Sequence, residues 1–163
     1  MPSSLTSRAS NFISAASSSS LDFTHSYLFL DVNYATILFR SELMRNDELS
    51  NQSMDFAVSI INLVNLLKAK HESIISNQIG RSGTSIGANI REAQYAHSTA
   101  DFISKLQIAL KEANETGYWL ELLFKTGYIS EEEYSKLNSA CTSIRVMLIS
   151  SCKTAKSSFE KVK

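Results

Sequence analysis

Between Phe56 and Leu148, apolar side chains return every three or four positions along the chain. This spacing puts them on one face of an α-helix, whereas a half-buried strand would alternate at every second position. The only proline is Pro2, so no proline interrupts a helix in this stretch. The sequence therefore predicts long amphipathic helices.

The apolar stripes and the capping residues between them divide the chain into four predicted helices, at about 52–70, 73–96, 99–126 and from Ser130 onward. Short connections make neighbouring helices antiparallel. The predicted fold class is therefore all-α, an antiparallel up-down-up-down four-helix bundle with a disordered or loosely ordered N-terminal extension. The stripes comprise Phe56, Ile60, Leu63 and Leu67, widened by Ala57, Ile61 and Val64; Ile75, Ile79, Ile86, Ile90 and Ala93; Ile103, Leu106, Leu110, Ala113, Gly117, Leu120 and Phe124; and Tyr134, Leu137, Cys141, Ile144, Leu148 and Ser151.

Capping residues support these boundaries. Ser130 and Glu133 have the spacing of a capping box, in which each side chain accepts a hydrogen bond from the other residue's backbone N–H. Ser98 and Asp101 have the same spacing before the third helix. Gly127 follows that helix where a residue with positive φ commonly ends one. We therefore expect the turn between the third and fourth helices to be sharply defined.

The second predicted helix contains Gly80, Gly83 and Gly87, and each glycine costs about 1 kcal/mol relative to alanine. One interpretation is that the missing side chains allow close approach to a neighbouring helix. The other is a flexible Gly/Ser linker between two shorter helices. The isoleucine spacing continues across the glycines, which favours the first interpretation.

The chain is organised in three parts: a low-complexity extension at 1–49, the bundle at 50–156 and a basic tail at 157–163. Residues 3–20 are rich in serine and cannot bury enough apolar surface to fold alone. The apolar run at 27–39 is shorter than the roughly 20 residues of a spanning helix. We expect the native domain to begin at Met44, with the preceding residues poorly ordered.

The inventory of reactive side chains predicts a non-enzymatic protein without a metal, cofactor or small-molecule substrate. No Glu-x-x-His pair, zinc-like Cys/His cluster or phosphate-binding glycine loop is present. Cys141 and Cys152 are separated by about 16 Å along one predicted helix, too far for a disulfide. The chain has 16 basic and 16 acidic residues. Any binding to nucleic acid must therefore come from a local patch.

Two polar groups flank the apolar stripes. One consists of Arg81, Ser85, Asn89 and Glu92 on the second helix, and the other of Lys111, Glu112, Glu115 and Trp119 on the third. Both could be solvated faces with weak pairs inside each helix. Alternatively, they could form a network between helices that fixes their register. The sequence leaves both possibilities open.

The segments from Arg81 to Glu92 and from Ile108 to Leu123 resemble a bacterial family of four-helix bundle proteins first noticed in intervening sequences of large-subunit rRNA genes. The accessory variability determinant of diversity-generating retroelements is a relative of that family. The resemblance covers about residues 52–156. The family usually has glycine after the glutamate of the second helix, where this chain has Ala93, so we expect the helix to continue.

The resemblance implies a small cytoplasmic protein that assembles into a homopentamer and binds RNA or a nucleic-acid enzyme such as a reverse transcriptase. The family signature falls on Ser85, Ile86, Asn89, Ile90 and Glu92 of the second helix and on Lys111, Glu112, Glu115 and Trp119 of the third. With Gly83 and Gly87, these residues are candidates for helix packing or an oligomer interface, apart from Lys111.

Two functions follow as hypotheses. The first is an oligomeric accessory protein that binds RNA or a nucleic-acid enzyme. The second is a scaffold that self-associates and binds protein partners without nucleic acid. For the first, the candidate phosphate contacts are Arg81, Arg91, Lys105, Lys111, Lys153 and Lys156.

Overall fold

The structure is a computed structural model that describes residues 47–160, with side chains described for residues 48–157. It contains four helices: α1 (Asp47–Ala69), α2 (Ile74–Gln94), α3 (Thr99–Lys125) and α4 (Glu131–Glu160). The predictions about residues 1–46 lie outside the described residues, as do Lys161 and Lys163. Helix α1 begins before the predicted domain boundary at residue 50, and α4 continues into the predicted tail.

The four helices form the predicted all-α bundle. Connections at 70–73, 95–98 and 126–130 are short, so successive helices run antiparallel. Each helix packs against the next, and α4 also packs against α1, which closes the bundle. The core contains fully buried side chains from all four helices, including Ile60, Ile86, Leu120, Ile144 and Leu148.

Helix α3 shows where periodicity alone misplaces a stripe. Phe102, Ala109, Thr116 and Leu123 are buried, whereas their predicted neighbours Ile103, Leu110, Gly117 and Phe124 are half-buried. Contact with both α2 and α4 makes the buried face broad, and its most buried line is turned by one residue toward α2. Ile61 also departs from the prediction, because it is 45% exposed on the outer face of α1.

Helix α2 runs unbroken through its three glycines, so the linker interpretation is wrong. At Gly83, an added Cβ would lie 2.8 Å from Ile60 Cγ1 and 2.9 Å from Cγ2. Ile60 is fully buried and cannot move into solvent. The absent side chain therefore lets α2 approach α1 closely. At Gly87 the nearest atom, Ser53 Oγ, would be 3.4 Å away, which is an ordinary contact.

The end of α3 and the start of α4 follow the predicted capping chemistry. Gly127 has φ +75°, its N–H donates to the Phe124 carbonyl, and the Tyr128 N–H donates to the Leu123 carbonyl. This pair of bonds is a Schellman motif. The Ser130 N–H donates to Glu133 Oε2 at 3.0 Å, and the Glu133 N–H donates to Ser130 Oγ at 3.2 Å. The Ser130 N–H and the Ser130 hydroxyl group both donate to the Glu133 carboxylate and lower its pKa.

The turn between α1 and α2 uses residues that the sequence did not indicate. His71 has φ 62° and occupies the position that Gly127 takes in the other Schellman motif. The buried Glu72 carboxylate accepts the N–H groups of Ile74, Ile75 and Ser76. It satisfies the free donors at the start of α2, where Ser73 provides no side-chain cap.

We expect Gly83→Ala to lower the free energy of unfolding by up to about 2 kcal/mol. The overpacking cost of about 1–3 kcal/mol outweighs the gain of about 1 kcal/mol in helix propensity. Gly87→Ala is the matched control and should raise stability by up to about 1 kcal/mol. Urea denaturation of both variants checks this, and equal effects would contradict the close approach at Gly83.

His71→Gly should raise the free energy of unfolding by up to about 1 kcal/mol, because glycine adopts positive φ without the steric cost that histidine bears. Ala69→Gly, two residues earlier and inside α1, should lower it by up to about 1 kcal/mol. Thermal denaturation followed by circular dichroism measures both. A lower melting temperature for His71→Gly would contradict this prediction.

Candidate nucleic-acid interface

A polar network joins α2 to α3 on one side of the bundle. Arg81 forms ion pairs with both Glu112, at 3.3 Å, and Glu115. The Trp119 indole N–H donates to Glu115 Oε1 at 3.3 Å. Glu112 and Glu115 are three residues apart and therefore face Arg81 together. These contacts favour the network interpretation for Arg81, Glu112, Glu115 and Trp119.

Pairing changes the acid–base properties of the network. The hydrogen bond from Arg81 lowers the pKa of Glu115, and the bond from Trp119 lowers it further. The hydrogen bond to Glu115 and the nearby charge of Glu112 raise the pKa of Arg81. Arg81 and Glu115 thus stabilise each other in their charged forms.

A buried hydroxyl pair lies beside this network. Thr116 Oγ1 is 2.9 Å from Ser82 Oγ and 2.8 Å from the Glu112 carbonyl oxygen. Both side chains are fully buried. A shift of α2 along α3 would break the contact between the two hydroxyl groups inside an apolar core and leave each with only a carbonyl oxygen of its own helix as partner. This pair therefore favours one register between the two helices.

The other predicted interface residues of α2 divide between core and surface. Ile86 and Ile90 are buried in the core together with Gly83. Asn89 Nδ2 donates to the carbonyl oxygen of Ser85 at 2.9 Å within α2, so these two residues do not join the network with Arg81. Gly87 is half-buried beside Ser53.

The predicted phosphate contacts differ in how their charges are compensated. Arg81 is paired with two carboxylates, and Lys105 forms an ion pair with Glu92. Lys111, Lys153 and Lys156 are exposed and form no ion pair with another described residue, and neither does Arg91. Arg91 lies on α2, which is diagonal to α4. Among the predicted contacts, the unpaired cations other than Arg91 therefore lie on α3 and α4.

We use the name basic face for a surface formed by two helical stripes. Steps of three and four residues align the side chains within each stripe. The basic face consists of Lys111, Asn114 and Tyr118 on α3, and of Arg145, Lys153 and Lys156 on α4.

Arg145 joins the two stripes and was missed by the sequence analysis. Its Nη1 donates to Asn114 Oδ1 at 3.4 Å, and its Nη2 donates to Thr142 Oγ1 at 2.8 Å. Both acceptors are neutral, so Arg145 is oriented without being neutralised, and donors of its guanidinium group remain unused. The steps from Arg145 through Ile149 to Lys153 and Lys156 are the sequence signal that could have found it.

Two further findings concern the described residues 47–160 only. No group of three or more His, Cys, Asp or Glu side chains is arranged there to hold a metal ion. None of the four helices is long and apolar enough to cross a membrane.

Comparison with known proteins identifies relatives of the bundle. The model of the 23S rRNA-intervening sequence protein family matches residues 45–150, which include parts of all four helices. A crystal structure of a protein with unknown function from the S23 ribosomal protein family of Bacteroides thetaiotaomicron is 57% identical in sequence, with a TM-score of 0.62. The similarity covers 63% of this chain and 95% of that chain. No curated protein matches the chain.

The ion pair of Glu115 predicts a specific response to acid. Because the pKa of Glu115 is lowered in the folded state, its stabilisation is present above the unfolded carboxyl pKa of about 4.3. It is lost as pH falls through the folded value. Between about pH 6 and pH 3, stability should fall less steeply in Glu115→Gln than in the unaltered protein.

Asp55→Asn is the control, because this exposed carboxylate on α1 forms no ion pair among the described residues. Urea denaturation at each pH measures the slopes. Equal slopes for Glu115→Gln and the unaltered protein would mean that Arg81 does not favour the charged form of Glu115.

Proposed function

Because this chain belongs to the 23S rRNA-intervening sequence protein family, we propose that it is a non-enzymatic, oligomeric accessory protein that binds RNA through the basic face. The observation that carries this proposal is the uncompensated charge of Lys111, Arg145, Lys153 and Lys156. Phosphate contacts from such side chains account for most sequence-independent affinity for nucleic acids.

Arg145 supports the proposal most directly. An arginine fork binds phosphate oxygens well, and it loses less conformational freedom when it is already oriented. The neutral partners Asn114 and Thr142 hold Arg145 in place without supplying a negative charge. Arg81, by contrast, would have to break its ion pairs with two carboxylates before it could bind a phosphate. We therefore assign the RNA contacts to the basic face rather than to the α2–α3 network.

Self-association forms the second part of the proposal. Met54, Val58 and Ile61 lie at helical steps on the outer face of α1, and each is more than 40% exposed. An apolar stripe of this kind suits contact with another copy, and the family resemblance implies a homopentamer. If the protein binds no RNA, this stripe favours the alternative function of a scaffold that binds protein partners.

The test compares two charge-matched double variants of the full chain. Lys111→Gln with Lys153→Gln removes two charges from the basic face, while Lys68→Gln with Lys136→Gln removes two exposed charges elsewhere. Each lost contact should weaken RNA binding about fivefold at 0.1 M salt, and so the first pair should weaken it about 25-fold. It should also reduce the slope of log K against log salt by about 0.7 per contact.

Fluorescence anisotropy with a labelled structured RNA at several salt concentrations measures both quantities. Equal effects of the two double variants would reject the basic face as the binding site. No binding by the unaltered protein at low salt would reject RNA binding itself. Light scattering on the same samples reports the oligomeric mass, and a monomer would reject self-association.

A further inference from the structure

Tyr118 is the one aromatic residue of the basic face, and its side chain is poorly explained by folding. It is 59% exposed, so it contributes little apolar burial to the core. Its hydroxyl group forms no hydrogen bond with the described residues. A large, exposed ring beside uncompensated positive charges is therefore a candidate ligand contact.

The ring of Tyr118 packs against the ring of Trp119. It contacts the Trp119 ring edge to face, with centroids 4.9 Å apart and an angle of 69° between the ring planes. Trp119 is half-buried and donates its indole N–H to Glu115, which is paired with Arg81. The α2–α3 network thus limits the movement of Trp119 and, through it, of the Tyr118 ring.

The positively charged guanidinium group of Arg145 lies over Gly117, next to Tyr118 in the chain. A Cβ at Gly117 would lie 3.8 Å from Arg145 Nη1, so the guanidinium group lies over the residue that precedes Tyr118. Asn114, which holds that group, is one helical turn from Tyr118, or about 6 Å along the axis. The Arg145 guanidinium group therefore lies within about one helical turn of Tyr118 along α3.

The two carboxylates nearest to Tyr118 in the sequence are both paired with cations. Glu121 follows Tyr118 by three residues, but it is paired with Lys125. Glu115 is paired with Arg81. On α4, the exposed Ile149 lies between Arg145 and Lys153 and offers an apolar contact for a base or sugar. The basic face thus combines a ring near Arg145 with an apolar side chain and further unpaired cations along its two stripes.

We propose that Tyr118 stacks on an unpaired nucleobase while Arg145 binds the phosphate of the same nucleotide, so that the basic face selects single-stranded over duplex RNA. This inference rests on the proposed function, because it specifies which form of RNA binds. In a duplex both faces of each base are already stacked, whereas an unpaired base offers a free face to an aromatic ring. Cations alone would bind either form.

The test uses the full chain and two labelled RNAs, an unstructured single strand and a duplex of equal length. The unaltered protein should prefer the single strand. Tyr118→Leu should weaken single-strand binding by about 5- to 150-fold, the range for loss of one stacked base, without changing the salt slope. Tyr118→Phe keeps the ring and should retain the affinity. Neither substitution should change duplex binding.

Trp119 provides a second signal, because it is the only tryptophan in the chain and contacts Tyr118. Its emission should change when the single strand binds, and this change should be smaller in Tyr118→Leu. Binding of both RNAs with equal affinity, or unchanged single-strand affinity in Tyr118→Leu, would overturn the stacking role alone. Binding of neither RNA would overturn both this inference and the proposed function.

Light scattering distinguishes RNA binding from an interface between copies of the chain. The oligomeric mass of Tyr118→Leu should equal that of the unaltered protein. A lower mass would mean that Tyr118 is covered by another copy in solution, and it would overturn the stacking role. A melting temperature within a few degrees of the original is expected, since the ring is mostly exposed.

Discussion

Close packing around α2 is the constraint on which the rest of the structure depends. On one side, Gly83 has no side chain, and the buried Ile60 of α1 occupies the space that a Cβ would need. On the other side, the buried hydroxyl groups of Ser82 and Thr116 favour one register between α2 and α3. Helix α2 is therefore held tightly by both neighbours. The position of α3, and of every side chain that it presents to α4, follows from this packing.

The register of α2 against α3 also decides which charges are compensated. It brings Arg81 opposite Glu112 and Glu115, and it brings Lys105 opposite Glu92. The chain has zero net formal charge, yet these pairs draw acidic side chains to the α2–α3 side. Lys111 of α3 and Arg145, Lys153 and Lys156 of α4 are left without such partners. A neutral chain can in this way present a local positive surface suited to a polyanion.

The fold could be predicted from the sequence to a large extent, because its determinants are local. Helical spacing and the capping pair of Ser130 and Glu133 depend only on residues close together in the chain. Of the details that the sequence did not indicate, the buried line of α3 depends on neighbours that are distant in sequence, whereas the turn before α2 is local but lacks the usual sequence signals. The buried line of α3 turns toward α2 at Thr116, and His71 adopts positive φ without the glycine that usually signals it. Glu72 caps α2 by accepting N–H groups that lie two to four residues further along the chain.

The sequence by itself determined four amphipathic helices, their order and their antiparallel connections. Periodicity, capping and loop length each depend only on residues that are close together along the chain. The sequence also shows where the basic residues lie along the chain, but it does not show which of them are free of ion pairs and able to contact a ligand. Only the tertiary structure separated Arg81 and Lys105, which are paired across helices, from Lys111, Lys153 and Lys156, which are not. Only the tertiary structure brought Arg145 of α4 to Asn114 of α3, beside Tyr118. The physical reason is that electrostatic compensation depends on distances of a few ångströms between helices, and those distances are set by packing.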